Sequence, residues 1–243
     1  MILAAVAAAF FLAGIVKGVI GLGLPTVAVG LLGLLMPPAQ AAAILVVPSL
    51  VTNVWQAWSG GSVLALARRM WSLLLGICVG TLIGALWLAH TDGRGASMWL
   101  GIALAAYAVF GLFNVHFSVP PRAESWIGLI VGVATGAITV ATGVFALPGV
   151  PYIHALKFER DRLVQALGLS FTVSTVTLAA ALLYAGEMRM SLAGASLVAL
   201  VVAPAGMWLG QIVRRKVRPE TFRIFFFLSL LALGVHLALR GLL

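Results

Sequence analysis

The stretch Gly14-Ile-Val-Lys17-Gly18-Val-Ile-Gly21-Leu-Gly23-Leu-Pro25 decides how this chain folds. It sits inside an apolar run, Met1–Met36, that is too long for one membrane crossing, and its glycines and proline interrupt any helix there. A second such stretch, Gly132-Val-Ala-Thr135-Gly136-Ala-Ile-Thr139-Val-Ala-Thr142-Gly143 followed by Pro148, lies in the run Ser125–Ile153. That run would be about 40 Å long if wholly helical. The two stretches align without a gap, Gly14 on Gly132, Lys17 on Thr135, Gly18 on Gly136 and Ile20 on Ile138. The chain therefore reads as two related halves, 1–118 and 125–243, joined by a loop at 119–124.

Outward from these stretches lie six further apolar runs: Ala39–Ala67, Met70–Ala89, Gly95–Ser118, Leu163–Gly186, Met190–Val213 and Thr221–Leu239. Pro37-Pro38, Ser59-Gly60-Gly61, Asp92-Gly93 and Pro120-Pro121 mark most of their ends, because none continues a helix comfortably. Hydrophobic residues make up 63% of the chain and charged residues 9%, against roughly a quarter charged in soluble domains, so the solvent is lipid. The runs show no period-two alternation, which excludes an outer-membrane barrel and leaves helices as the way to satisfy the backbone. The fold class is an all-α polytopic membrane protein of about eight apolar segments in two inverted repeats, each with a glycine-broken or re-entrant first segment. The first 30 residues lack a basic leader region and carry Lys17 in mid-run, so they read as a mature segment.

The net charge of +9 comes from basic residues set singly or in short runs between apolar segments. That pattern is a topology signal on an anionic bilayer, not a nucleic-acid surface. If all eight runs crossed once, the loop cations would divide five against nine. If the run Ser125–Ile153 folds back on itself, the division becomes eleven against three, with only Arg94, Arg189 and Arg240 outside. The second arrangement obeys the positive-inside rule and makes the halves inverted copies, so Met1–Met36 should fold back too. Inverted repeats with glycine-broken segments point to a transporter whose site lies between the breaks.

Lys17 is the one formally charged residue deep in an apolar run, since Asp92, Glu124, Glu159, Asp161, Glu187 and Glu220 all fall in or beside loops. A buried ammonium needs a counter-charge, and no intramembrane carboxylate supplies it. Three readings stand for Lys17: contact with a substrate anion, with Gly18, Gly21, Gly23 and Pro25 opening the backbone to it; snorkelling to an interface; or a structural bond to backbone carbonyls. Ser49, Asn53 and Gln56 share one helix face, as Ser170, Ser174 and Thr177 do in the second half, and Thr135, Thr139 and Thr142 line the second broken stretch. These faces can wall a polar cavity, although a single hydroxyl also bonds readily to its own helix. Gly76, Gly80 and Gly84, and likewise Gly206 and Gly210, read as helix-packing faces.

The chain carries no His-Glu-x-x-His, Gly-x-Ser-x-Gly, phosphate loop or intramembrane aspartate pair, so neither an enzyme nor an ATP-driven pump is expected. Cys78 has no partner for a disulfide or a metal site, and the histidines at 90, 116, 154 and 236 are spread too widely for one. No cofactor is expected, and the partners are a small anion, the bilayer and a coupling proton or ion, with the oligomeric state open. The alternative function is a non-transporting scaffold or partner subunit that assembles through the glycine faces.

The opening Gly14–Pro25, the segment Pro48-Ser49…Asn53, and their echoes at Gly132–Pro148 and Gly168–Ser174 resemble the TauE/SafE sulfite exporter family, also called the toluene-sulfonate uptake permease family. The resemblance covers essentially the whole chain. It implies an inner-membrane secondary carrier for small sulfur-containing oxyanions or organic acids, such as sulfite, sulfonates or sulfoacetate, working by alternating access. The second half departs from the pattern by carrying Thr139 where the first has Gly21.

Overall fold

The computed structural model describes residues 2–58, 61–88, 95–113, 118–214, 217 and 219–240, which contain helices and no strand. Of the turn signals, Ser59, Gly60, Asp92 and Gly93 lie outside the described residues, as do His90, Arg94 and His116. Seven of the helices are long and apolar enough to cross a membrane, or eight when a bent pair is taken as one span.

The first apolar run divides where its glycines fall. Helix α1 (Ile2–Ile20) ends at Gly21, φ 79°, and α2 (Leu24–Leu32) begins at Gly23, φ 100°, with Pro25 in its first turn. Both glycines hold left-handed backbone, which a side chain resists, and the proline's missing N–H costs nothing at a helix start. Next comes α3 (Pro38–Trp58). Lys17 and Gly21 near the end of α1 meet Asn53 and Gln56 near the end of α3, so α1 and α3 run parallel and α2 carries the chain back between them. A short α4 (Val63–Arg69), capped by Ser62, meets α5 (Trp71–Leu88) at a bend of 71° over the described part of α5, and α6 (Ala96–Phe113) follows.

The second half contains α7 (Glu124–Thr142), the short α8 (Gly149–Ala155), α9 (Arg160–Tyr184), α10 (Ala193–Arg214) and α11 (Pro219–Arg240). Its break differs from the first. Thr139, aligned with Gly21, stays helical and donates to the carbonyl of Thr135 at 2.7 Å, so α7 runs on to Gly143, φ 73°. A residue with a Cβ does not readily take the left-handed turn, and the break waits for the next glycine.

In lipid the apolar effect does not drive helices together, so small residues that let backbones touch decide the pairing. A Cβ at Gly14 or Gly18 would strike the backbone of α10 at Ala203 or Met207, and one at Gly206 or Gly210 would strike α1 at Phe11 or Ile15. The same relation joins α5 to α7 through Gly76 and Gly80 against Gly132 and Gly136. In both pairs the residue numbers rise together, so the helices are parallel. The other close pairs are antiparallel: Asn53 and Ala57 of α3 meet Thr175 and Gly168 of α9, and Gly101 and Gly111 of α6 meet Gly234 and Phe227 of α11. Each half thus hands its broken helix to the other half.

These directions gather the cations. Arg69, Arg122, Lys157, Arg162, Arg214 and Arg223 lie at one end of the bundle, whereas Arg189 and Arg240 lie at the other. Tryptophans mark both boundaries: exposed Trp58, Trp71 and Trp126 toward the basic end, exposed Trp87 and Trp99 toward the opposite one. From Trp71 to Trp87 along α5 is about 24 Å, close to the thickness of a hydrocarbon core.

Candidate functional site

Lys17 lies in the interior of the bundle, 3% exposed, one turn before the break that ends α1. Its ammonium donates to Asn53 Oδ1 at 2.9 Å and to Thr52 Oγ1 at 3.0 Å, both on α3. It does not snorkel. Thr52 passes the polarity on by donating to the carbonyl of Pro48 at 2.9 Å. Asn53 Nδ2 donates to Thr175 Oγ1 of α9 at 3.4 Å, and Thr175 in turn donates to the carbonyl of Phe171 at 2.7 Å. Asn53 stands about one and a half turns before the end of α3 and Thr175 about four turns into α9, so the network lies inside the bundle on the side of its basic end.

Every partner of the ammonium named here is neutral, although a charge buried without compensation costs about 3 kcal/mol even on the most lenient insertion scale. Among the described residues no carboxylate is buried, so none faces Lys17. Two acceptors occupy two of the three ammonium N–H groups. On α3 and α9, the hydroxyls of Ser49 and Ser174 are fully buried and have no hydrogen-bond partner. Ser49 is one turn from Asn53 on α3, and Ser174 immediately precedes Thr175 on α9. At the break itself, Gln56 Nε2 reaches the carbonyl of Gly21 at 3.5 Å, and a methyl at Gly21 would point into open space. The nine-residue α2 begins there with no side-chain cap, so its first N–H groups add partial positive charge.

The structure brings Lys17, Asn53, Gln56 and Gly21 together, with Gly23 and Pro25 shaping the turn beside them. Gly18 faces elsewhere, against Gly210 of α10. Thr135, Thr139 and Thr142 spend their hydroxyls on their own helix, donating to Val131, Thr135 and Ile138 at 2.7 Å each. Ser170 is buried in α9 one turn before Ser174. Thr52 and Thr175 belong to the network although their hydroxyls look ordinary in the sequence. The signal for Thr52 was its place four residues after Pro48, adjacent to Asn53.

At the basic end a second polar cluster closes the start of α7. Arg69 grips Glu124 with Nε at 3.1 Å and an Nη at 2.7 Å, stands 4.6 Å over the Phe158 ring, and donates to the carbonyl of Leu156 at 3.4 Å. Tyr152 of α8 donates to the carbonyl of Glu124 at 2.7 Å. Gln165 ties α9 to the end of α3 through the carbonyls of Ala57 and Gly61.

No curated protein and no solved structure matches this chain. The family described as Sulfite exporter TauE/SafE matches residues 6–237. That range takes in both glycine-broken stretches and every residue of the Lys17 network, and the chain belongs to the sulfite exporter TauE/SafE family of membrane transporters.

Proposed function

We propose that the protein is a secondary carrier of small anions, sulfur-containing oxyanions or organic acids of the sulfite, sulfonate and sulfoacetate type, held at Lys17. The observation that carries this reading is a buried ammonium whose described partners are all neutral, in a bundle where α3 and α9 also carry two buried hydroxyls with no partner. An anion at that place supplies the missing counter-charge and accepts from the idle donors.

Alternating access fits the packing. The antiparallel runs of α3 on α9 and of α6 on α11 are those that a two-fold axis in the membrane plane imposes on repeats. The moving units, however, are not the sequence halves 1–118 and 125–243. Sliding those past each other would part α1 from α10 and α5 from α7 at their closest backbone contacts. The units that rock are α1 with α10 and α5 with α7, and the Lys17 network lies where α1 meets α3 and α9.

Thermal stabilisation of the purified protein tests the reading, because a ligand that binds only the folded state raises its unfolding temperature. Sulfite and small sulfonates should stabilise it and organic cations should not. Stabilisation by organic cations alone would overturn the anion reading.

A further inference from the structure

We propose that the Lys17 centre selects anions of single charge, so that a monovalent sulfonate or hydrogensulfite is its ligand and a dianion such as sulfate is rejected. This rests on the carrier reading above and narrows it: monovalent sulfonates and hydrogensulfite stay as ligands, and sulfoacetate, a dianion at neutral pH, drops out.

The inference comes from counting the charges and donors that the fold places together. Lys17 is the one buried basic side chain among the described residues, and the other cations stand at the two ends of the bundle. One unit of positive charge is therefore the complement available in the interior. The uncapped start of α2 adds at most about half a unit. A monoanion leaves the closed site near neutral, whereas a dianion leaves a net negative charge in a medium where charge is poorly screened.

The rest of the donor set is neutral. Ser49 and Ser174 each offer a hydroxyl that bonds to nothing else, from positions within one helical turn of the network. Hydroxyls can satisfy sulfonate oxygens without adding charge, and they cannot neutralise a second one. A site built for dianions would need a second cation, typically an arginine whose fork matches the oxygens. Asn53 completes the arrangement. One Nδ2 N–H goes to Thr175 and Oδ1 accepts from Lys17, so Asn53 orients the ammonium without adding charge.

The test uses methanesulfonate and sulfate, tetrahedral sulfur oxyanions of similar size that differ in charge, with the full chain in nanodiscs. The half-stabilising concentration of methanesulfonate should be at least tenfold below that of sulfate. Ser49→Ala and Ser174→Ala should each weaken methanesulfonate several-fold while keeping the preference over sulfate. Sulfate binding as tightly as methanesulfonate, or more tightly, overturns the charge selection and leaves the anion carrier standing. Stabilisation by neither anion overturns both.

Discussion

Lys17 of α1 and Asn53 of α3 are joined by a 2.9 Å hydrogen bond in the interior of the bundle, with Asn53 1% exposed. This contact ties the broken helix to the central antiparallel pair, and the behaviour of its neighbours follows from it.

Asn53 holds both sides of the network, so Asn53→Ala removes an acceptor from the ammonium and a donor from Thr175. Loss of a buried partner to a charged group costs about 1.5–3 kcal/mol. Thermal unfolding should show that loss. Asn53→Asp should differ in kind: the carboxylate satisfies Lys17 internally, so the protein folds but no longer responds to sulfonate. A sulfonate response undiminished in Asn53→Asp would contradict the role given to the free ammonium.

Gly80 lies in backbone contact with Val133, whereas Gly194 of α10 has open space around it. Gly80→Ala should cost about 1–3 kcal/mol, because backbone must move to admit the methyl. Gly194→Ala should be neutral or stabilising by up to about 1 kcal/mol. Parallel unfolding curves in the same detergent compare them, and equal effects would sink the packing account of the α5–α7 pair.

Arg69 and Glu124 form a two-pronged pair, but the arginine side chain is 44% exposed. A double-mutant cycle with Arg69→Ala and Glu124→Ala should therefore give a coupling below about 1 kcal/mol, decreasing in high salt. A coupling of several kcal/mol would mean that this cluster is sealed from water.

Positions 157–162 and Val217 stand at the end where the described cations collect. In a Cys78→Ala background, cysteines at Lys157 and Val217 should resist impermeant reagents applied outside intact cells, and a cysteine at Gly186 should react. Labelling at Lys157 or Val217 from outside would reverse or break the topology.

Much of this was legible in the sequence because lipid enforces simple rules. The broken runs at Gly14–Pro25 and Gly132–Pro148, the fold-back of each and the gathering of cations at one end could all be read, since apolar length, left-handed glycines and loop charge act locally. Lys17 stood out for the same reason. What could not be read was facing. Gly18 looked like part of an opening to a ligand and instead packs on α10, and the threonines of α7 look like cavity walls and instead bond to their own helix. Sequence spacing tells which residues share a face but not which partner that face meets. The exchange of α1 and α7 between halves, and the bend between α4 and α5, are tertiary outcomes with no local signal.

The most direct test is uptake of radiolabelled sulfite and a small sulfonate into proteoliposomes by the natural protein, Lys17→Ala and Lys17→Arg. The account predicts saturable uptake by the natural protein, its loss in Lys17→Ala, and partial retention in Lys17→Arg, which keeps the charge. Equal uptake by all three would contradict it, placing the anion somewhere other than Lys17.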